Sequence, residues 1–448
     1  MARERRALAR SVHDKLLRAV SASRLRELVA QHAGEYRQRV YPPLVTLGLF
    51  VEQVIGSDQA CQDAVGRALS QRTALGLSPS SLNTGPYCKA RQRLPLSLIE
   101  AVTQEVATAA QEGAPSQWRW RGREVKLIDG TTVSMPDTAA NQAIFPQNHQ
   151  QQPGLGFPLA RIVGVISLST GCVARWTISA CEGPGTHEMR HLWRLREAFT
   201  PGDVVIADRA YCSYFLLAAL RSAKVDCVIR EHQRRKDELG RAVPLGPNDQ
   251  QLTWDKPPRP AWMDAGTYAA MPEQLTVRQV RDRDWKLTTT LTDPAATPAV
   301  EIAWLYRQRW HVELDFRSIK CDLQMDILRC KTPTMVKKEI AAHLLGYNLI
   351  RAAMAQAAAN AERLPRRLSF AAARRAVATL QEKLRHDPNV GFATARVMLL
   401  DRIAYWRIPH RPNRIEPRAV KRRPRRHSLL TVPRHIARQQ LLALRLAA

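Results

Sequence analysis

The sequence is short of acid, short of patterned cysteine and short of long apolar runs. Asp and Glu together number 40, against 68 Lys and Arg. No stretch approaches the roughly 18 uninterrupted apolar residues that cross a bilayer, so a membrane span is not expected. The eight cysteines (61, 88, 172, 181, 212, 227, 321 and 330) include no Cys-x-x-Cys pair and no zinc-type Cys/His spacing. In a chain of 448 residues this argues against a disulfide scaffold or structural zinc and for buried, reduced thiols in a cytosolic protein. The N-terminal stretch MARERRALARSVHDKLL is basic but has no continuous apolar core, so a secretory signal is not expected.

What is abundant is positive charge: a formal +28 and a pI near 10.6. Self-repulsion of that size suits a polyanionic partner, and nucleic acid is the commonest. An acidic membrane surface is disfavoured because no lipidation motif is present. A ribosomal setting is disfavoured because the chain is long and 45% hydrophobic. That apolar fraction supports a sizeable core, and the length suggests two to four domains.

Residues 1 to about 115 read as helical. Apolar spacing predicts a helix within 6–29, a buried helix over 45–56, one over 57–72 capped by Ser57, and another carrying Tyr87 to Arg93. Two helices around a turn suit DNA contact, and equally suit any helical domain. From Trp118 the pattern becomes β: strands are expected over 123–135, 161–169, 172–180, 203–211 and 225–231, with helices over 187–199 and 213–224 between the later ones. The order indicates an α/β core. Residues 232–298 are polar and Pro-rich through Trp262, then carry two strand-like runs, 274–282 and 285–293. From Val300 the chain is mainly helical to about 384 and ends in an Arg-, Pro- and His-rich tail.

The chemistry concentrates on the helix expected from Ala299. At helical pitch Tyr306, Arg309, Glu313, Arg317 and Lys320 fall within an arc of roughly 80°. Leu305, Val312, Phe316, Ile319 and Leu323 form an adjacent core stripe, which leaves Arg307, Gln308, His311 and Asp315 to solvent. Alone, the first arc reads equally as a solvated, salt-bridged face. The strands add two carboxylates. Val125, Leu127 and Asp129 alternate to one side of a strand, and Asp208 ends the apolar run VVIA. An Asp after a strand is commonly a turn former. Two of them with a helix carboxylate form a hard-oxygen set suited to Mg²⁺ and to phosphoryl chemistry.

These motifs resemble the DDE insertion-sequence transposases, in the branch with a Tyr-x2-Arg-x3-Glu-x6-Lys motif. That motif stands complete in YRQRWHVELDFRSIK (306–320), after LIDGTTVSMPDT (127–138) and VIADRAYCSY (205–214). The resemblance continues through YCKARQRLP (87–95), GFPLARIVG (156–164), TTTLTD (288–293), LLGYNLIRAAM (344–354) and EPRAVKRRP (416–424). It implies a ribonuclease H-like core in which Asp129, Asp208 and Glu313 bind two Mg²⁺ or Mn²⁺ ions. Tyr306, Arg309 and Lys320 are then expected to hold the transposon end, with Arg317 beside them. Arg209 is read as a phosphate contact or a carboxylate partner, and Trp285 as an aromatic wedge or a core tryptophan. His187 is expected to be a surface or capping residue.

The implied layout is a helical, DNA-binding domain over 1–117 and a core over 118–231 and 299–384. A β-rich insertion spans 232–298 and a basic C-terminal region 385–448. The implied partners are double-stranded DNA, as terminal inverted repeats and target, and a second copy of the chain when two ends are paired. A nuclease that cuts without strand transfer, and a non-enzymatic DNA-binding regulator, are the alternatives. Truncation from about Arg407 should weaken DNA binding and flatten its salt dependence, because fewer counterions are released. An unchanged slope in a salt titration would show that the tail touches no phosphates.

Overall fold

The structure, a computed structural model, describes residues 16, 18–36, 40–78, 80–182, 193–231, 242–283, 285–386, 391–409 and 430–447. Period-two apolar patterning builds its sheet. β1 (Val125–Ser134) pairs antiparallel with β2 (Leu159–Ser167), and β2 with β3 (Val173–Ala180). The β2–β3 connection turns at Gly171, whose φ of 79° a side chain would strain. β4 (Val204–Ala207) runs parallel to β1, and β5 (Asp226–Arg230) parallel to β4. β6 (Val243–Gly246), β7 (Asp249–Asp255), β8 (Gln274–Asp282) and β9 (Trp285–Thr289) form an antiparallel meander, and β9 pairs with β5. One sheet results, in the order β3-β2-β1-β4-β5-β9-β8-β7-β6. Seven of these strands were legible in the sequence. β6 and β7 were not: β6 is short, mostly exposed and contains Pro244, and β7 buries only Asp249, Leu252 and Trp254.

Among the described residues, five α-helices precede the sheet: α1 (Ala22–Ala33), α2 (Pro43–Ile55), α3 (Cys61–Ala74), α4 (Gly85–Arg93) and α5 (Leu96–Glu112). α3 begins three residues later than a cap at Ser57 would start it. Its N-cap is Ala60, whose N–H donates to Asp58 Oδ1 at 2.9 Å. α6 (Ala139–Ile144) follows β1, α7 (Tyr214–Ser222) links β4 to β5, and α8 (Ala265–Ala269) precedes β8. After the sheet come α9 (Ala299–Arg307), α10 (Trp310–Arg317), a π-turn (Ser318–Asp322) and α11 (Pro333–Asn360). The last helices are α12 (Phe370–His386), α13 (Phe392–Tyr405) and α14 (Arg434–Ala447). Residues 187–192 of the helix expected over 187–199, His187 among them, lie outside the described residues, as do residues 410–429 of the basic tail and residues 1–15.

Helices cover both faces of the sheet. Val125, Leu127, Val204 and Ile206 pack into one core with Leu305, Val312, Phe316, Ile319 and Leu323, so the predicted core stripe is buried in full. Ile128, Val163, Val205 and Ala207 face the other way, toward Phe215, Leu216 and Leu217 of α7. α11 is buried around nearly its whole circumference, as its scarcity of charge requires. A Cβ on its Gly346 would lie 3.2 Å from Ile55 Cγ1 and 3.3 Å from Val54 Cγ2, so glycine lets α2 pack directly on it. No helix among the described residues is long and apolar enough to cross a membrane. All eight cysteines are free, but only Cys172, Cys227 and Cys330 are buried, and Cys321 in the π-turn is exposed.

His343 on α11 is 1% exposed, and its Nδ1 has no hydrogen-bond partner among the described residues. Burial, with Arg329 nearby, pushes its imidazole down to about 3. The unfolded chain, with a value near ~6.5, binds the proton first, so stability is full above that pH and falls on acidification toward the folded value. The cost is at most about 1.4 kcal/mol per pH unit. Urea unfolding of the wild type and His343→Leu at pH 7 and pH 5 should show a shallower loss in the variant. Parallel losses would mean that His343 does not carry this proton.

Candidate active site

Strand register brings the two aspartates together. The last registered β1–β4 pair is Leu127 with Ile206, and Asp129 and Asp208 each lie two residues further along parallel strands. Val125 and Leu127 on β1, and Val204 and Ile206 on β4, belong to the core layer containing α10. Period two therefore directs both carboxylates to that same face. Asp129 also pairs with Gly164 of β2, where an added Cβ would sit 3.4 Å from Phe316 Cζ of α10. The glutamate helix thus rests against the strand opposite Asp129.

The helix expected from Ala299 is not continuous. Around Gln308 and Arg309 the backbone bonds shorten to three-residue spacing: Gln308 N donates to Leu305 O, Arg309 N to Tyr306 O and Val312 N to Arg309 O. Past Arg317 the ladder widens into the π-turn that carries Lys320. Such breaks often accompany functional sites. Between them α10 presents Glu313, and Arg309 joins the two elements. Its Nη2 donates to Glu313 Oε1 at 2.6 Å and its Nη1 to Asp129 Oδ2 at 3.4 Å. One guanidinium therefore spans a strand carboxylate and a helix carboxylate 184 positions apart in sequence, a pairing that helical spacing showed only for Glu313.

The other predicted residues divide. Tyr306 is buried, with its ring edge-on to Trp285 at 5.3 Å between centroids. Burial pushes its phenol up to about 12, with Asp208 acting in the same direction. Trp285 is half-buried at the start of β9, opposite Asp282 of β8. Lys320 is half-buried, Arg317 and Arg209 are exposed, and none of the three forms an ion pair among the described residues. Arg209 opens the short 3₁₀ turn that follows Asp208.

The expected solvent face of the helix is corrected. Arg307 is exposed, but His311 is half-buried and Asp315 fully buried, because α11 and the turn Pro365–Arg367 cover that side. Burial, reinforced by Arg366, lowers the His311 imidazole to about 4. Periodicity could not show this, since the covering groups lie 32 to 51 residues away.

Residues 120–349, more than half of the chain, match the family model described as the transposase DDE domain, and this span includes Asp129, Asp208 and Glu313. The chain belongs to the DDE transposase family. It is 29% identical over 357 residues to the transposase InsG of insertion sequence element IS4 from Escherichia coli K12, covering 75% of this chain and 76% of that one. A putative transposase, y4zB of Sinorhizobium fredii, is 29% identical over 162 residues, 35% of this chain and 44% of its own. Among solved structures, the piggyBac transposase synaptic complex with hairpin DNA aligns with a TM-score of 0.43 at 11% identity, over 89% of this chain and 85% of that one.

As a DDE transposase the protein is an enzyme of metal-dependent DNA strand cleavage and strand transfer. The donor chemistry fits a hard divalent cation, since Asp129 and Glu313, which meet at Arg309, offer carboxylate oxygens. Two of them already share a cationic group, the Arg309 guanidinium. Among the described residues, no three Asp, Glu, His or Cys side chains are gathered closely enough to hold a metal as they stand. Arg309 lies between the two carboxylates that would have to converge.

Proposed function

We propose that this transposase cuts the ends of a bacterial insertion sequence and transfers the freed 3′-hydroxyl ends to target DNA. In this reading Asp129, Asp208 and Glu313 hold two Mg²⁺ or Mn²⁺ ions. The observation that carries it is the convergence of Asp129, midway along β1, and Asp208, just past the end of β4, on the sheet face covered by α10, with Arg309 bridging Asp129 to Glu313. The strand order β3-β2-β1-β4-β5, antiparallel and then parallel, supports a ribonuclease H-like core. When bound, such ions activate the attacking hydroxyl and offset charge on the leaving oxygen.

The chain's own residues bind and orient the DNA. Arg309 can exchange its carboxylates for a backbone phosphate, as guanidinium groups bind both in the same forked geometry. Lys320, Arg317 and Arg209 supply cations that no acidic side chain among the described residues neutralises by an ion pair. Trp285 would support a base displaced when the end closes through a hairpin, a reading supported by its ring contact with Tyr306. Synapsis of two inverted repeats calls for a dimer on DNA.

Asp129→Asn, Asp208→Asn and Glu313→Gln should each abolish cleavage while end binding in a gel-shift assay stays near wild type. Each keeps the side-chain size and removes an anionic ligand. Wild-type cleavage in any one variant would remove that residue from the site.

Intact and pre-nicked ends, compared in Mg²⁺, separate transposition from simple nuclease action. Arg309→Ala and Lys320→Ala should slow hairpin formation and end release by about one to two decades, with a smaller effect on the first nick. Trp285→Ala should impair the hairpin step alone. Equal losses on both substrates for all three would indicate general DNA binding. Wild-type protein that degrades DNA without joining a 3′-hydroxyl would indicate a nuclease.

A further inference from the structure

α10 is only eight residues long, and its backbone ladder is interrupted at both ends, by three-residue spacing before it and a π-turn after it. Its apolar side chains select which face meets the sheet, but contacts of this kind are non-directional and leave the helix free to roll slightly. Asp315 supplies directional bonds. It lies two residues beyond Glu313, about 200° around the helix, and is completely buried.

Four groups of hydrogen bonds converge on and behind that carboxylate. Tyr347 Oη donates to Oδ1 at 2.8 Å, and Arg366 Nη1 donates to Oδ1 and Oδ2 at 2.6 and 2.7 Å. Arg351 adds a short ion pair, and its Nε also donates to Tyr347 Oη at 2.8 Å. Arg366 continues the connection: Nη2 donates to Ser167 O at 2.9 Å and Nε to Leu168 O at 3.0 Å, at the end of β2. β2 is the strand that pairs with Asp129 through Gly164. The β2–β3 turn also makes room for the network, since a Cβ on Gly171 would lie 2.9 Å from Arg351 Nε. A closed circuit thus runs from Asp129 through β2, Arg366 and Asp315 to the far side of Glu313.

We propose that Asp315, with Arg351, Arg366 and Tyr347, is a positioning clamp that sets the rotation of α10 and so aims Glu313 at Asp129 and Asp208. This rests on the reading of Glu313 as a metal ligand. Stability alone is a weak reason for such a cluster, because well-packed apolar residues often replace buried ion pairs without loss. Fixing register is the better-attested use of a buried polar group. Asp315, Tyr347 and Arg351 are buried, away from any surface on which DNA could lie. The clamp's effect is on the approach of Glu313, where displacements of about 1 Å can cost about a hundredfold in rate.

The test uses the full-length protein with Asp315→Asn, Tyr347→Phe and Arg366→Lys, alongside Glu313→Gln. Three quantities are measured: the single-turnover cleavage rate at saturating end DNA, the Kd for that DNA, and Mn²⁺ affinity by calorimetry. Asp315→Asn should leave the DNA Kd within about twofold, slow cleavage about ten- to a hundredfold and weaken Mn²⁺ binding. Arg366→Lys keeps the charge but loses the fork to Ser167 and Leu168, so it should fall between wild type and Asp315→Asn. Tyr347→Phe removes one hydroxyl and serves if Asp315→Asn does not fold; it should slow cleavage without changing the DNA Kd. The clamp is overturned if the folded variants cleave and bind Mn²⁺ as wild type does while Glu313→Gln is inactive. It is also overturned if cleavage and DNA binding fall together in proportion to unfolded protein. An active Glu313→Gln would instead overturn the underlying reading of Glu313.

Discussion

Carboxylates drawn onto one face of a sheet repel one another, and the arrangement here depends on the cation that offsets the repulsion. Arg309 bridges Asp129 on β1 and Glu313 on α10, although the two acids come from opposite ends of the core. At separations of about 4 Å, in surroundings partly open to solvent, such interactions amount to at most a few kcal/mol each. That is enough to bias local geometry without holding the fold together. The fold is held by the apolar layers on either side of the sheet, which put β1, β4 and α10 within reach of each other.

Each face of α10 has a different charge problem. Toward the sheet, Glu313 remains partly exposed, with a side-chain exposure of 36%, and has one arginine. Away from it, Asp315 is wholly buried and needs two arginines and a tyrosine. Burial alone would raise the Asp315 carboxyl, but Arg366 and Arg351 hold it below its ordinary value. The sheet-facing acid thus stays partly open to solvent, whereas the outer one is enclosed by three partners. The interruptions at Gln308–Arg309 and in the π-turn suit this division. They redirect the chain just before Glu313 and again where Lys320 leaves the helix.

The segment between β5 and α9 reads in sequence as a break in the core's rhythm. β9 nonetheless pairs with β5, and β8, β7 and β6 follow outward, so the segment prolongs the same sheet. Buried Arg278 holds it at the inner end. The guanidinium bonds Asp249 through Nε at 2.7 Å and Thr297 O through Nη1 at 2.6 Å, tying β7 and β8 to the loop before α9. Trp285 therefore stands on a strand continuous with the core and reaches Tyr306 across a single packing contact.

Local pattern was sufficient for most of the elements near the chemistry. Alternation in VKLIDG and the apolar run VVIA placed Asp129 within a strand and Asp208 directly after one, and the stripe Leu305, Val312, Phe316, Ile319 and Leu323 identified the buried side of the helix. These are short-range properties, because the side-chain period of a strand or helix is written in consecutive residues. The family, too, was legible, since the spacing from Tyr306 to Lys320 is local. What pattern could not supply were relationships between distant segments. Arg309 meeting Asp129, Arg278 closing on Asp249 and Asp315 facing Tyr347, Arg351 and Arg366 all depend on where remote side chains come to rest. A polar residue on the outer arc of an isolated helix looks solvated. Only the packing of α11 and the Pro365–Arg367 turn over that arc made Asp315 the most deeply buried charge on the glutamate helix, because burial is a property of the neighbours and not of the residue.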